Sequence, residues 1–298
     1  MINNKVFLIT QVSLVADGQL SLFGSRFEDT VQGRNQLYRD IFYQIIEKRK
    51  IVSKARVMDN VLLFNKQLSN DLLYFQLAKQ KKKEINALIE DEIKPITMDD
   101  FPPIDIFVNL KLQQILIEIK ESVFELNEAI KVLFRAMQNI AKIDNYSVYI
   151  NTIDDTQEFW DLVDRKNVDE ILEIKFEMVA PNFWGNTGQA KDLVDEAKKQ
   201  INASEVSISL VNKKGKLRAS MEYLDSFVKY TAYSGSWKVK VRKNGYIKTL
   251  KSDDTFLKKQ VSENIIDSIK NISHNNSNNI DTYNNCIEEI EKLFVDRE

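Results

Sequence analysis

Residues 103–120 read PIDIFVNLKLQQILIEIK, and the fold class follows from their alternation. Ile104, Ile106 and Val108 share one face of a strand, with Ile115, Ile117 and Ile119 matching them on a second. Asp105, Asn109, Gln114, Glu118 and Lys120 take the other face, the period of two that a β-strand imposes. The few residues between the runs suffice only for a turn, so the strands are antiparallel and Asp105 stands across from about Glu118. Pro102 and Pro103 hold the approach extended. Directly downstream the period changes: Val123–Ile143 repeats at helical spacing, with Leu126, Ile130, Leu133, Phe134, Met137 and Ile140 as the expected buried stripe. A hairpin followed by a long amphipathic helix predicts an α+β protein with mixed or antiparallel sheets, long helices and two subdomains.

Working outward toward the N-terminus, Val61–Phe64 and Leu72–Leu77 form a second hairpin about Ser69-Asn70-Asp71. Asn35–Lys50 is a helix with apolar residues at 37, 38, 41, 42, 45 and 46, and Lys5–Leu14 is an opening strand ending at a turn at Asp17-Gly18. Toward the C-terminus, Tyr146–Ile150 is a strand and Thr156–Val163 a short helix. Next come strand Ile171–Val179, helix Gly188–Ile201, strand Glu205–Val211 and helix Met221–Tyr233. Ser236–Arg242 and Tyr246–Leu250 make a hairpin across Lys243-Asn244-Gly245, since Asn-Gly is the strongest short hairpin signal. Helices Asp254–Ile272 and Ile280–Phe294 close the chain around an asparagine-rich stretch. The boundary is placed near 150–168, giving an N-terminal subdomain over 1–160 and a C-terminal one, with the basic hairpin and terminal helices, over 161–298.

Composition narrows the chemistry. Cys286 and His274 are the only cysteine and histidine among 298 residues. That excludes an internal disulfide, a multi-cysteine metal site and a triad built on an oriented histidine. Glycine-rich phosphate loops are absent, with eight glycines in all. No apolar run reaches the roughly 18 residues of a membrane span, and the N-terminus lacks a signal peptide's core. The expectation is a cytoplasmic protein without membrane insertion and without a resident cofactor or metal. Phe183-Trp184-Gly185-Asn186-Thr187-Gly188 reads as a compact loop anchored by Trp184. The face Ile287, Ile290, Leu293 and Phe294 suits packing on the body or pairing with another subunit, hence an expected homo-oligomer.

Two constellations carry candidate chemistry. Asp105 with Glu118-Ile119-Lys120 matches the spacing of PD-(D/E)xK nucleases, in which two carboxylates hold Mg²⁺ and the lysine orients the attacking water. An amphipathic hairpin with a solvated face produces the same spacing without a site, and Glu173-Ile174-Lys175 repeats the tripeptide elsewhere. The second constellation is electrostatic. Residues 211–260 hold thirteen lysines and arginines against four acids, in a chain of 42 basic and 44 acidic residues. Lys213, Lys214, Lys216 and Arg218 follow one turn, while Lys238, Lys240 and Arg242 alternate along one face of a strand. Lys243, Lys248 and Lys251 extend the charge around the hairpin. Such a ribbon tracks phosphates without reading sequence, with Tyr230, Tyr233, Trp237 and Tyr246 as candidate stacking rings. The competing reading is an edge strand blunted by lysines, its aromatics in the core.

The succession FPPIDIFVNLKLQQILIEIKESVFELNEAIKVLF (101–134), ILEIKFEMVAPN (171–182) and SEVSISLVNKKGKL (204–217) resembles the RexA family of phage-exclusion proteins. More loosely it resembles anti-phage DNA-binding proteins of the KwaB kind. The resemblance covers about half the chain and rests on the order of elements. It implies sequence-tolerant DNA binding, self-association and a sensing role beside a partner that acts on the membrane or the cell, and it carries over no catalytic residue. Nucleic-acid binding in an antiviral setting is thus the leading expectation. A Mg²⁺-dependent nuclease at Asp105, Glu118 and Lys120 stands as one alternative, and a protein-interaction module as the other.

Overall fold

The computed structural model describes residues 3–17, 26–54, 59–89, 91–164, 168–179, 188–214, 216–271 and 280–295. Gly18, the loop 183–187 and His274 lie outside them. The described chain forms fourteen strands and seven α-helices, and every strand pairing is antiparallel. This is the α+β class that the hairpin periodicity predicts.

The first sheet is built on β1 (Asn4–Ala16), whose thirteen residues serve three partners. One edge pairs with β8 (Gln114–Glu118); the other pairs with β14 (Lys258–Ser262) over its first half and β9 (Tyr146–Thr152) over its second. Beyond β8 come β7 (Pro103–Asn109), β4 (Leu72–Lys79), β3 (Asp59–Gln67) and the edge strand β2 (Lys50–Lys54). α1 (Val31–Lys48) and α2 (Leu126–Ala141) cover one face, burying Leu37, Ile41, Phe42, Val132 and Met137 against Phe75, Ile106, Ile115 and Ile117. α1 starts where the Thr30 side chain accepts a bond from the Gly33 N–H at 3.0 Å. α6 (Glu263–Asn271) and α7 (Ile280–Glu291) cover the opposite face, with Ile266, Ile269, Ile287 and Ile290 on Phe7, Tyr74, Phe107 and Leu116.

The second sheet has the order β11-β10-β12-β13. Its strands are β10 (Glu170–Val179), β11 (Glu205–Val211), β12 (Gly235–Lys243) and β13 (Tyr246–Lys251). α3 (Thr156–Val163), α4 (Gln189–Ile201) and α5 (Met221–Ser234) join its inner face in one core of Phe159, Val194, Phe227, Phe176, Trp237 and Val239. The outer face carries no helix among the described residues. A third sheet is the ribbon β5 (Lys81–Ile89) with β6 (Glu92–Asp100).

Several expectations change. The 161–298 subdomain is split: residues 170–251 build the second sheet, whereas β14, α6 and α7 return to the first. The expected helix 254–272 is a strand followed by a helix, because β1 offers an unpaired edge that Lys258–Ser262 fills. In α2 the buried stripe is rotated toward Ala129, Val132, Leu133, Ala136, Met137 and Ile140, leaving Phe134 exposed. Small alanines let that helix sit close to the sheet. The lysine runs before 84 and the acids after 90 hid the ribbon, whose apolar residues Ala87, Leu88 and Ile89 run together and break the alternation.

Candidate nucleic-acid interface

β12 is an interior strand, not the edge that the alternating lysines suggested, and its basic face meets an acidic one. Opposite Arg242 stands Glu170, and opposite Lys240 stands Glu173. In a regular strand Glu170 and Glu173 would face opposite ways; the bulge between Ile171 and Glu173 turns both to the outer face. Lys240 reaches Glu173 at 3.3 Å, Lys238 reaches Glu177 at 3.2 Å, and Arg242 pairs with Glu170. Lys175 bonds Glu177 at 2.6 Å and Ser236 donates to it at 3.1 Å. The Lys175 ammonium, with help from Lys238 and Ser236, holds the Glu177 carboxyl down to about 2. The bonds from Ser209 and Lys240 lower that of Glu173. The strip therefore comes with its own counter-ions.

The other cations are differently placed. Lys213 and Lys214 follow β11 in a turn where Asn212 Oδ1 accepts from the Lys214 N–H at 3.0 Å. Lys216 and Arg218 flank Leu217, which bridges to Ile171 on β10; Ile171 in turn pairs with Val241, and Val241 with Lys248. One row across the sheet thus runs from the 216–218 segment to Lys248, three strand spacings or about 14 Å. At the same end lies the hairpin turn, with Lys243 before it and Tyr246 after it. Lys213, Lys214, Lys216, Arg218, Lys243 and Lys248 are exposed and form no ion pair among the described residues. Acids are close by: Asp169 accepts from the Asn244 N–H at 2.7 Å. A groove of about 1030 Å³ sets Lys216 and Arg218 beside Asp161, Asp164 and Glu170.

Of the candidate stacking rings, Tyr230 and Trp237 are core residues and Tyr233 is half-buried. Tyr246 is 81% exposed and its neighbour Ile247 60%. The sequence reading did not separate Tyr246 from the others, because exposure is not written in residue type. Lys251, which extends the charge in the sequence, stands opposite Lys238.

The carboxylate–lysine constellation of Asp105, Glu118 and Lys120 is brought together only in part. Asp105 and Glu118 are opposite in register, and the Asp105 N–H donates to Glu118 Oε2 at 2.8 Å. Their face is not solvated but lies under α6 and α7. Lys5 from β1 sits between them, 2.6 Å from Asp105 and 3.1 Å from Glu118, and Lys270 from α6 reaches Asp105 at 2.9 Å. Tyr74 donates to the remaining Asp105 oxygen at 2.7 Å. Lys120 is exposed beyond the end of β8 and takes no part. A divalent ion at the two carboxylates would have to displace Lys5. Among the described residues no group of three or more His, Cys, Asp or Glu is arranged to hold a metal, and no helix is long and apolar enough to cross a membrane.

No curated protein matches this chain. The family described as a domain of unknown function, DUF4747, matches residues 106–277, a span from β7 through α6 that includes the whole second sheet. That span is more than half of the 298 residues, and the chain belongs to the DUF4747 family.

Proposed function

We propose that the protein binds nucleic acid, double-stranded DNA in the first instance, at the hairpin end of its second sheet and without reading sequence. The observation that carries this is Tyr246, four-fifths exposed at the hairpin tip between Lys243 and Lys248, neither lysine ion-paired among the described residues. An exposed ring beside free ammonium groups offers an unpaired or everted base a stacking partner and the phosphates of a duplex a counter-charge. Lys213, Lys214, Lys216 and Arg218 lie at the same end of the sheet, in the segment whose Leu217 is about 14 Å across the strands from Lys248. Lys238, Lys240 and Arg242 are given a lesser part than their spacing alone suggests, because glutamates already hold them. The phage-exclusion setting implied by the RexA resemblance belongs to the same proposal.

The test is fluorescence anisotropy with a random-sequence duplex at two salt concentrations, with and without Mg²⁺. Lys243→Ala/Lys248→Ala is expected to weaken binding and to reduce the salt slope by about one per lost phosphate contact. The charge-neutral pair Lys240→Ala/Glu173→Ala is expected to leave affinity nearly unchanged. A wild-type protein with no affinity at low salt would overturn the reading. Mg²⁺-dependent loss of the duplex, abolished in Glu118→Gln, would move the function to β7 and β8.

A further inference from the structure

The ribbon β5–β6 stands apart from both larger sheets. Its nine pairs run from Lys81↔Asp100 to Ile89↔Glu92, about 30 Å of strand at roughly 3.3 Å per residue. The root is tied down: the Gln80 N–H donates to Asp59 O at 2.8 Å, Lys81 donates to Ser122 O, and Lys82 pairs with Asp99 at 2.7 Å. Beyond the root the ribbon is bare. Ile85, Ala87, Ile96 and Met98 share one face by register, and none of the four is buried. Leu88 and Ile93, opposite each other near the tip, are 72% and 74% exposed. A two-stranded hairpin with an apolar face and no cover is marginal in water.

The charge and the edges of the ribbon point to its cover. Lysines 81, 82 and 83 begin β5, while Asp91 and Glu92 sit at the far turn. Asp99 already holds Lys82, and Lys94 holds Glu92 at 2.9 Å. Among the described residues, Lys81 and Lys83 at the root and Asp91 at the turn are thus the charges left for a partner. A second ribbon laid antiparallel sets each lysine root against the other's acidic tip, a pattern complementary to itself under a two-fold axis. The outer edge of β5 has no strand partner among the described residues. β6 contains Pro95, opposite Asn86. Proline is tolerated in a ladder where its nitrogen faces away from the partner strand. In an antiparallel pair that position turns the backbone groups of the opposite residue outward as well. Asn86 is then the residue whose N–H and C=O are offered to a new strand.

We propose that a second copy of this chain pairs with the first through β5, antiparallel about a two-fold axis at Asn86. The result is a four-stranded sheet in the order β6-β5-β5-β6. In this register Ile85 of each copy stands opposite Ala87 of the other, so Ile96, Ile85 and Ala87 of both copies form one apolar stripe. Lys81 and Lys83 of each copy then lie beside the other's turn, where Asp91 stands past the end of β5. The contact is isologous and closes at two copies.

The experiment is sedimentation velocity on the full chain at about 50 μM, a concentration at which a weak homodimer is populated. The wild type is expected to sediment as a dimer. Lys82→Glu/Lys83→Glu reverses the root and Asp91→Lys/Glu92→Lys reverses the tip; all four residues are exposed, so circular dichroism should be unchanged. Loss of the exposed Lys82–Asp99 and Lys94–Glu92 pairs should lower the melting temperature only slightly. Each variant alone is expected to be monomeric, since like charges meet at both ends. Their equimolar mixture is expected to recover the dimer, because each reversed root then meets a tip of opposite sign. A monomeric wild type, a dimer that survives either reversal, or a mixture that stays monomeric would each overturn the proposal.

Discussion

Asp105 is 1% exposed yet ionised, and the reason is the company it keeps. Burial by itself would raise its carboxyl; the bonds from Lys5, Tyr74 and Lys270 outweigh burial and hold it below the ordinary value. Burial likewise works against the Lys5 ammonium, but Asp105 and Glu118 raise it above its ordinary value. Removing one member strands the others, and breaking a buried pair costs about 3–5 kcal/mol. Lys5→Met is therefore expected to lower unfolding free energy by about 3 kcal/mol in urea titrations, and adding Glu118→Gln to recover part of it. The pH dependence has two limbs. A depressed Asp105 adds stability above its unfolded value of about 4, lost as pH falls through the lower folded value. A raised Lys5 adds stability below its unfolded value of about 10.5, lost as pH rises through the folded one. Melting temperature should fall on both sides of a central plateau, and Lys5→Met should flatten both limbs. A different residue-scale test is Gly235, where a Cβ would run into the Glu177 carbonyl. Gly235→Ala is expected to cost about 2 kcal/mol, since the strand β10 must shift to admit it.

At the level of the element, the β12–β13 hairpin separates stability from binding. Asn244 and Gly245 have φ of 50° and 79°, the paired positive values of a type I′ turn, which matches strand twist. Val239, Val241 and Leu250 anchor the hairpin from inside. Tyr246 contributes nothing to that core, so Tyr246→Ala is expected to leave the melting temperature within about a degree, as for other surface changes. Its effect on affinity for a single-stranded oligonucleotide should be large by comparison, about 1–3 kcal/mol for a ring stacked on an unpaired base. Equal, small effects on both would argue that Tyr246 is only an exposed side chain. β12 also shows why a basic strip is a poor guide to a basic surface. Its lysines are compensated by a neighbouring strand some 65 residues earlier in the chain, through exposed pairs worth little in stability, typically below about 1 kcal/mol.

The whole molecule is stitched so that its ends meet. β14, α6 and α7 complete the sheet that β1 begins, and the two helices, which come after the second sheet in the chain, cover Phe7, Ile9, Tyr74, Phe107 and Leu116. The helices of the second sheet tie it to the first: Ser234 of α5 shares a buried hydroxyl bond with Ser13 of β1 at 3.0 Å, Lys198 of α4 donates to Ala16 O at 2.8 Å, and the Asp154 N–H donates to Ala232 O of α5 at 3.1 Å. A chain ending after residue 251 would expose that apolar face. It is expected to be insoluble or to bind a hydrophobic dye strongly, whereas the full chain should unfold in one transition by calorimetry. A soluble, cooperatively folded product of the truncation would show that α6 and α7 are an addition to the first sheet and not its cover.

Local periodicity by itself determined a large part of this protein: the α+β class, the β7–β8 hairpin with Asp105 across from Glu118, helix α3, and the alternation of β12 with its valines inward. These were legible because each depends on residues two to four apart along the chain. Lys5 and Lys270 could not be assigned to Asp105 from the sequence, being 100 and 165 residues from it, and no spacing rule spans such distances. The same holds for Glu170, Glu173 and Glu177 against the basic strip, for β14 on β1, and for the exposure that sets Tyr246 apart from Trp237. Which lysines are free, which carboxylates are already neutralised and which faces are covered were decided only by the tertiary structure. Charge compensation and burial depend on distance in space, and the sequence records distance along the chain.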